Sequence, residues 1–179
     1  SDAIAAAAAL VKKAKQPIVI CGSGAVSARA GTNITRLAES IGAALYTTPG
    51  GRGTYAEDHP LCLGQIGLYF TDAGKKYFDE SDLVISFGSR LEDFSTGGWT
   101  LWPSRAKFIQ IDIDPESIGL NIRPDAALVG DVDLTATDLL TAIDNLSVKN
   151  TVTRFRMVNK LQTRHIANIR RQLKRQTKP

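Results

Sequence analysis

Apolar residues in this chain form short continuous runs, separated by stretches with a helical period. Pro17-Ile-Val-Ile-Cys21, residues 43–48, Asp82-Leu-Val-Ile-Ser-Phe-Gly88 and the run from Lys107 to the Asp112/Asp114 tip are apolar almost throughout. Such runs predict parallel strands buried on both faces rather than strands with one wet side. Residues 61–66 and the run ending at Gly130-Asp131 read as two more strands. Between them, Ile4, Ala7, Ala8, Val11 and Ala14 share one helical face, with Asp2 placed to cap that helix and Pro17 to stop it. Ile34, Leu37, Ala38 and Ile41 give residues 27–41 an inward face, and Gly42 ends that helix. Residues 71–78 and 134–146 read as further helices, 49–60 as a glycine-rich loop, and 89–106 as an irregular loop.

Strands alternating with helices predict an α/β fold: a three-layer, doubly wound, Rossmann-like parallel sheet of about six strands. Residues 1–148 form that domain, and the pattern lapses in residues 149–179. Parallel strands line up their carboxyl ends along one edge, where ligands of such sheets bind. The strand near Lys107 and the one that follows it both finish on acidic tips, at Asp112/Asp114 and at Asp131.

Charge changes the picture of the tail. Nine of the 22 basic residues and none of the 18 acidic ones lie in residues 151–179, so the first 150 carry a net charge of −5. The overall charge of +4 is therefore no argument that the body binds nucleic acid. Phe155, Val158, Leu161, Ile166, Ile169 and Leu173 fall on one face of the tail. That stripe predicts a segment that docks on a neighbouring domain, leading toward a C-terminal domain beyond this one. No apolar run is long enough to span a membrane, and no basic leader precedes the N-terminal alanines. Cys21 and Cys62 sit in apolar runs, as reduced buried thiols of a cytoplasmic protein would, and with two histidines they give no zinc spacing.

Candidate chemistry lies at the strand ends. Gly22-Ser23-Gly24 opens two readings, a phosphate cradle at a helix start or a tight turn. Ser27 occupies the third glycine position of a dinucleotide fingerprint, and Leu45-Tyr46-Thr47-Thr48 lacks the acid that would hold the ribose of NAD. Arg52 and Arg90 can clamp a pyrophosphate, or each can pair with a nearby carboxylate, Glu57 or Asp58 and Glu92 or Asp93. Asp112, Asp114 and Asp131 can accept from sugar hydroxyls or cap the turns that follow them. His59 reads as a structural residue of a turn-like loop. No nucleophile–base pair and no catalytic carboxylate pair stands out.

Taken together, Pro17-Ile-Val-Ile-Cys-Gly-Ser-Gly24, Thr47-Thr48 ahead of Gly51-Arg-Gly53, Glu57-Asp-His-Pro-Leu-Cys-Leu-Gly64, Asp82-Leu-Val-Ile-Ser-Phe-Gly-Ser-Arg90, Ile111-Asp-Ile-Asp-Pro-Glu-Ser-Ile-Gly119 and Val129-Gly-Asp131 resemble the central domain of thiamine diphosphate-dependent enzymes. The acetolactate synthase-like branch is the nearest, and the 2-oxo acid decarboxylases belong to the same group. The resemblance implies a six-stranded sheet within a three-domain enzyme that works as a homodimer or homotetramer. It implies that thiamine diphosphate and Mg bind in the flanking domains, and that this domain alone is inactive.

In the flavin-containing branch the central domain holds FAD along the strand rim, and other branches place ADP there or nothing. By position the implied contacts are Gly22, Ser23, Gly24, Thr47, Thr48, Leu63, Gly64, Gln65, Ile66, Gly88, Ser89, Arg90, Asp112, Ile113, Gly130, Asp131 and Val132. A free-standing nucleotide-binding regulatory module is the alternative. A sirtuin-like deacylase would need four zinc-binding cysteines, and the chain has two.

Overall fold

A computed structural model describes residues 1–176. Six parallel strands form one sheet in the order β3-β2-β1-β4-β5-β6. They are β1 (Pro17–Cys21), β2 (Ala44–Thr47), β3 (Cys62–Gln65), β4 (Leu83–Phe87), β5 (Lys107–Asp112) and β6 (Ala126–Val129). Every residue of β1, β2 and β4 is buried, which is why these strands read as unbroken apolar runs. β1 lies at the centre, paired with β2 on one side and β4 on the other. The chain reverses its direction of travel across the sheet there, so the loops after β1 and β4 face each other over the switch point.

The helices are α1 (Asp2–Lys13), α2 (Ser23–Ser27), α3 (Gly31–Ile41), α4 (Asp72–Asp79), α5 (Asp93–Thr96), α6 (Val132–Asp144) and α7 (Thr151–Gln176). α6 packs against both α1 and α3. Ile34, Leu37, Ala38 and Ile41 of α3 are buried as their spacing requires, each large side chain contributing roughly 2 kcal/mol. Elsewhere in the core a chain of edge-to-face aromatic rings runs from Tyr46 through Phe78 and Trp102 to Phe108, with centroids 5.1–6.2 Å apart.

Four expectations change. The cap of α1 is Ser1, whose hydroxyl accepts the Ile4 N–H, and not Asp2. The helix expected over 27–41 begins only at Gly31 as α3; Ser27 ends the short α2, and residues 28–30 form the turn between them. Arg29 adopts a left-handed φ of 54°, and Gly31 packs so closely on the Thr54 carbonyl that a Cβ there would lie 1.8 Å from its oxygen. The loop over 89–106 contains the short helix α5, closed by Gly97 in left-handed geometry.

The tail is the fourth change. α7 is one 26-residue helix, and its first half packs on this domain. It covers the edge strand β3 and touches α3 and α4, with Arg154, Val158 and Gln162 buried. An open edge strand needs such a cover, so β3 takes up part of the apolar stripe.

Candidate functional site

The loops after β1 and β4 meet at the switch point through backbone alone. Gly22 N–H donates to the Phe87 carbonyl at 2.8 Å, and Gly24 N–H donates to the Gly88 carbonyl at 3.0 Å. A Cβ on Gly88, whose φ is +60°, would lie 2.6 Å from Gly24 Cα. Two of the glycine-loop donors are thus spent on the neighbouring loop. The same segment also begins the short helix α2 at Ser23.

Above this junction lies a crevice of about 380 Å³. Ser23, Gly24, Thr48, Gly88, Ser89, Arg90, Asp112 and Ile113 line it, all of them named by the sequence. Gly50, Glu92, Asp114 and Ser117 join them. The sequence offers Asp114 as a hydroxyl acceptor and Glu92 as one partner for Arg90, whereas it gives no role to Gly50 or Ser117. The Asp-Pro turn could have pointed to Ser117, since its hydroxyl donates to Asp114 Oδ2 at 2.8 Å. That bond, the Glu116 N–H and the nearby Arg90 guanidinium hold the Asp114 carboxyl below its ordinary range.

Asp112 is 8% exposed. Its Oδ1 accepts the Asp114 N–H at 3.1 Å, and Oδ2 has no protein donor among the described residues. The crevice therefore offers one guanidinium, several hydroxyls and three carboxylates, of which Asp112 presents an acceptor oxygen on a strand end and Asp114 is engaged by Ser117 and the Glu116 N–H. That set suits a sugar diol with one attached anion.

Other named residues lie elsewhere. Arg52 is exposed and paired in a two-pronged fashion with Glu57, at 2.7 and 3.0 Å. This bond raises the Arg52 pKa and lowers that of Glu57. Arg52 therefore stands as the paired alternative and contributes nothing to the crevice. Asp131 caps α6, accepting the Asp133 and Leu134 N–H groups at 2.9 and 3.0 Å. Gly130 and Asp131 are not in the crevice wall, and Val132 is buried in the core. Leu63 and Ile66 are core residues as well. Thr47, Gly64 and Gln65 line a second cavity, of about 400 Å³, between the β3 edge and α7.

His59 has a structural place. Its Nδ1 accepts the Leu61 N–H at 3.2 Å, which leaves Nε2 as the ring donor, 3.2 Å from Glu39. Burial pushes the Cys21 and Cys62 thiols up, so neither is a ready nucleophile. Among the described residues no group of three or more His, Cys, Asp or Glu is arranged to hold a metal ion. No helix among them is long and apolar enough to cross a membrane.

Residues 4–139 match the family model described as thiamine pyrophosphate enzyme, central domain. The chain is 38% identical over 144 residues to a probable acetolactate synthase large subunit of Methanocaldococcus jannaschii, covering 80% of this chain and 24% of that protein. It is 34% identical over 145 residues to the acetolactate synthase large subunit of Porphyra purpurea, covering 81% and 25%. It is 34% identical over 151 residues to the 2-hydroxyacyl-CoA lyase 1 of Mus musculus, covering 80% and 24%. The chain thus spans about a quarter of the length of the curated relatives it matches.

Proposed function

Because this chain belongs to the thiamine pyrophosphate enzyme central-domain family, we propose that it serves as the middle domain of a longer acetolactate synthase-like enzyme. The parent would make or break the bond beside the carbonyl of a 2-oxo acid, as a lyase or transferase. Thiamine diphosphate, with Mg, supplies the electron sink for that chemistry. The residues present here do not fit that cofactor's metal, since among the described residues no group of three or more His, Cys, Asp or Glu is arranged to hold an ion. Its site belongs to the flanking domains, toward one of which α7 leads. The parent would be a cytoplasmic homodimer or homotetramer and would bind neither nucleic acid nor membrane.

This domain contributes scaffold, contacts to its neighbours and a nucleotide site at the strand rim, for FAD or ADP. The observation that carries the nucleotide reading is the crevice over the switch point, with Asp112 in its wall and its Oδ2 without a protein donor among the described residues. Its residues fit a nucleotide. Asp112 accepts from ribose or ribityl hydroxyls, Ser23 and Thr48 add hydroxyl contacts, and Arg90 faces the phosphates. Arg52 is assigned no part, given its bond to Glu57.

The test is to incubate the purified chain with FAD, remove free flavin, and record the visible spectrum beside an assay of pyruvate consumption. Retained flavin absorbance with no turnover is the expected outcome. Retention of ADP in place of FAD would move the parent out of the flavin-containing branch. Turnover of pyruvate by these 179 residues would contradict the assignment of catalysis to other domains.

A further inference from the structure

The first half of α7 carries a buried charge that the fold leaves largely unanswered. Arg154 is 4% exposed. Its Nη1 donates to the Ala14 carbonyl at 2.9 Å, while Nε and Nη2 are buried with no acceptor among the described residues. Asp82 is close enough to act on this charge, but its two oxygens already accept the Lys15 and Gln16 N–H groups. A second orphan lies on α4. Tyr77 is 3% exposed, and its hydroxyl is buried without a partner. The two groups feel each other: burial pushes the Tyr77 phenol up, and the Arg154 guanidinium opposes that shift. Buried donors left unmet are costly, and a buried cation more so. This corner of the molecule is short of an acceptor, and an anion would supply one.

Tyr77 also lines a cavity of about 450 Å³ between α4 and α7. Ala73 of α4, with Met157 and Leu161 of α7, gives it an apolar wall. Arg154, Met157 and Leu161 are spaced i, i+3, i+7, so the guanidinium continues the α7 wall by one turn. Gln16 closes one side, its Nε2 already donating to the Tyr77 carbonyl at 3.0 Å. The charged lining residues, Asp72, Lys76 and Glu80, are exposed, so water screens them far more than it screens Arg154. The cavity shares no residue with the crevice over the switch point.

We propose that the cavity between α4 and α7 is a second binding site, for a small carboxylate with an unbranched apolar tail. The tail lies along Ala73, Met157 and Leu161. The carboxylate takes the Tyr77 end, where the phenol donates to it and the Arg154 charge favours it over a neutral head group. The proposal does not rest on the nucleotide reading.

The test is calorimetric titration of the full chain with hexanoate and with 1-hexanol, which share a tail and differ in head-group charge. Hexanoate should bind saturably and about tenfold more tightly than hexanol, as hydrogen bonds to a charged group allow. Tyr77→Phe keeps the buried ring and should remove most of that preference, leaving hexanol unchanged. Arg154→Met keeps the apolar stem and should do the same. Ala73→Trp should fill the cavity and weaken both probes, with circular dichroism confirming that each variant is folded. Four outcomes overturn the proposal: no saturable hexanoate binding, equal affinity for the two probes, a preference for hexanoate that survives both Tyr77→Phe and Arg154→Met, or hexanoate binding unaltered by Ala73→Trp.

Discussion

The two edges of the sheet use similar residues for different ends. At the amino edge, polar side chains turn back onto the backbone. Asp82 accepts the Lys15 and Gln16 N–H groups at 2.7 and 2.8 Å, tying the entry of β1 to that of β4. Asp125 accepts the Phe108 N–H at 2.9 Å and the Lys107 ammonium at 2.7 Å, tying β5 to β6. His59 does the same ahead of β3. At the carboxyl edge the loops are held by glycine backbones, and Asp112, Arg90 and the nearby hydroxyls remain turned toward the crevice. The amino edge commits its side chains to stability; the carboxyl edge does so only in part, with Asp131 and Asp114 capping turns while Arg90 and Asp112 Oδ2 keep no protein side-chain partner among the described residues.

The sharpest way to break this contrast is at the glycine junction. Gly88→Ala forces a Cβ into the Gly24 backbone and keeps a left-handed φ that alanine resists. A loss of roughly 3 kcal/mol or more is expected, enough to prevent folding of a marginal domain, as urea denaturation would show. Next comes the amino edge. Asp82→Ala leaves two N–H groups without their charged acceptor, and a loss of about 2–4 kcal/mol is expected by the same measurement.

Acid should act on the amino edge too. The Lys107 ammonium, and with it the Phe108 N–H, holds the Asp125 carboxyl below its unfolded value. Its stabilising contribution is therefore present above the ordinary carboxylate pKa of about 4, and fades as pH falls through the depressed folded value. Asp125→Asn should flatten the acid limb of a melting-temperature profile. The smallest effect belongs to Arg52→Ala, which removes a solvent-exposed pair and should leave both the melting temperature and nucleotide binding unchanged.

How much of this was legible follows from how local each cause is. The strands were, because burial on both faces leaves a continuous apolar run, as in β1 and β4. The break between α2 and α3 was not. Arg29 carries no sign of a left-handed turn, and the close neighbour of Gly31 is Thr54, in a loop beyond the next strand. The stripe of α7 could be read, but its partner could not, since β3 becomes an edge only once the strand order is known. Asp131 shows the limit of residue type. An aspartate at a strand end looks the same whether it lies in a crevice wall, as Asp112 does, or caps a helix. The paired role of Arg52 stood in the sequence beside the phosphate reading, with Glu57 five residues away.

The most direct test of the account is equilibrium dialysis of FAD and ADP against the chain and its Asp112→Ala variant, with melting temperatures taken alongside. The account expects saturable binding of one of them to the wild-type chain. It expects that binding to be lost in the variant, with a stability change of no more than about 1 kcal/mol. Failure of both nucleotides to bind, or binding unaltered by the substitution, would contradict the assignment of the carboxyl edge as the ligand edge.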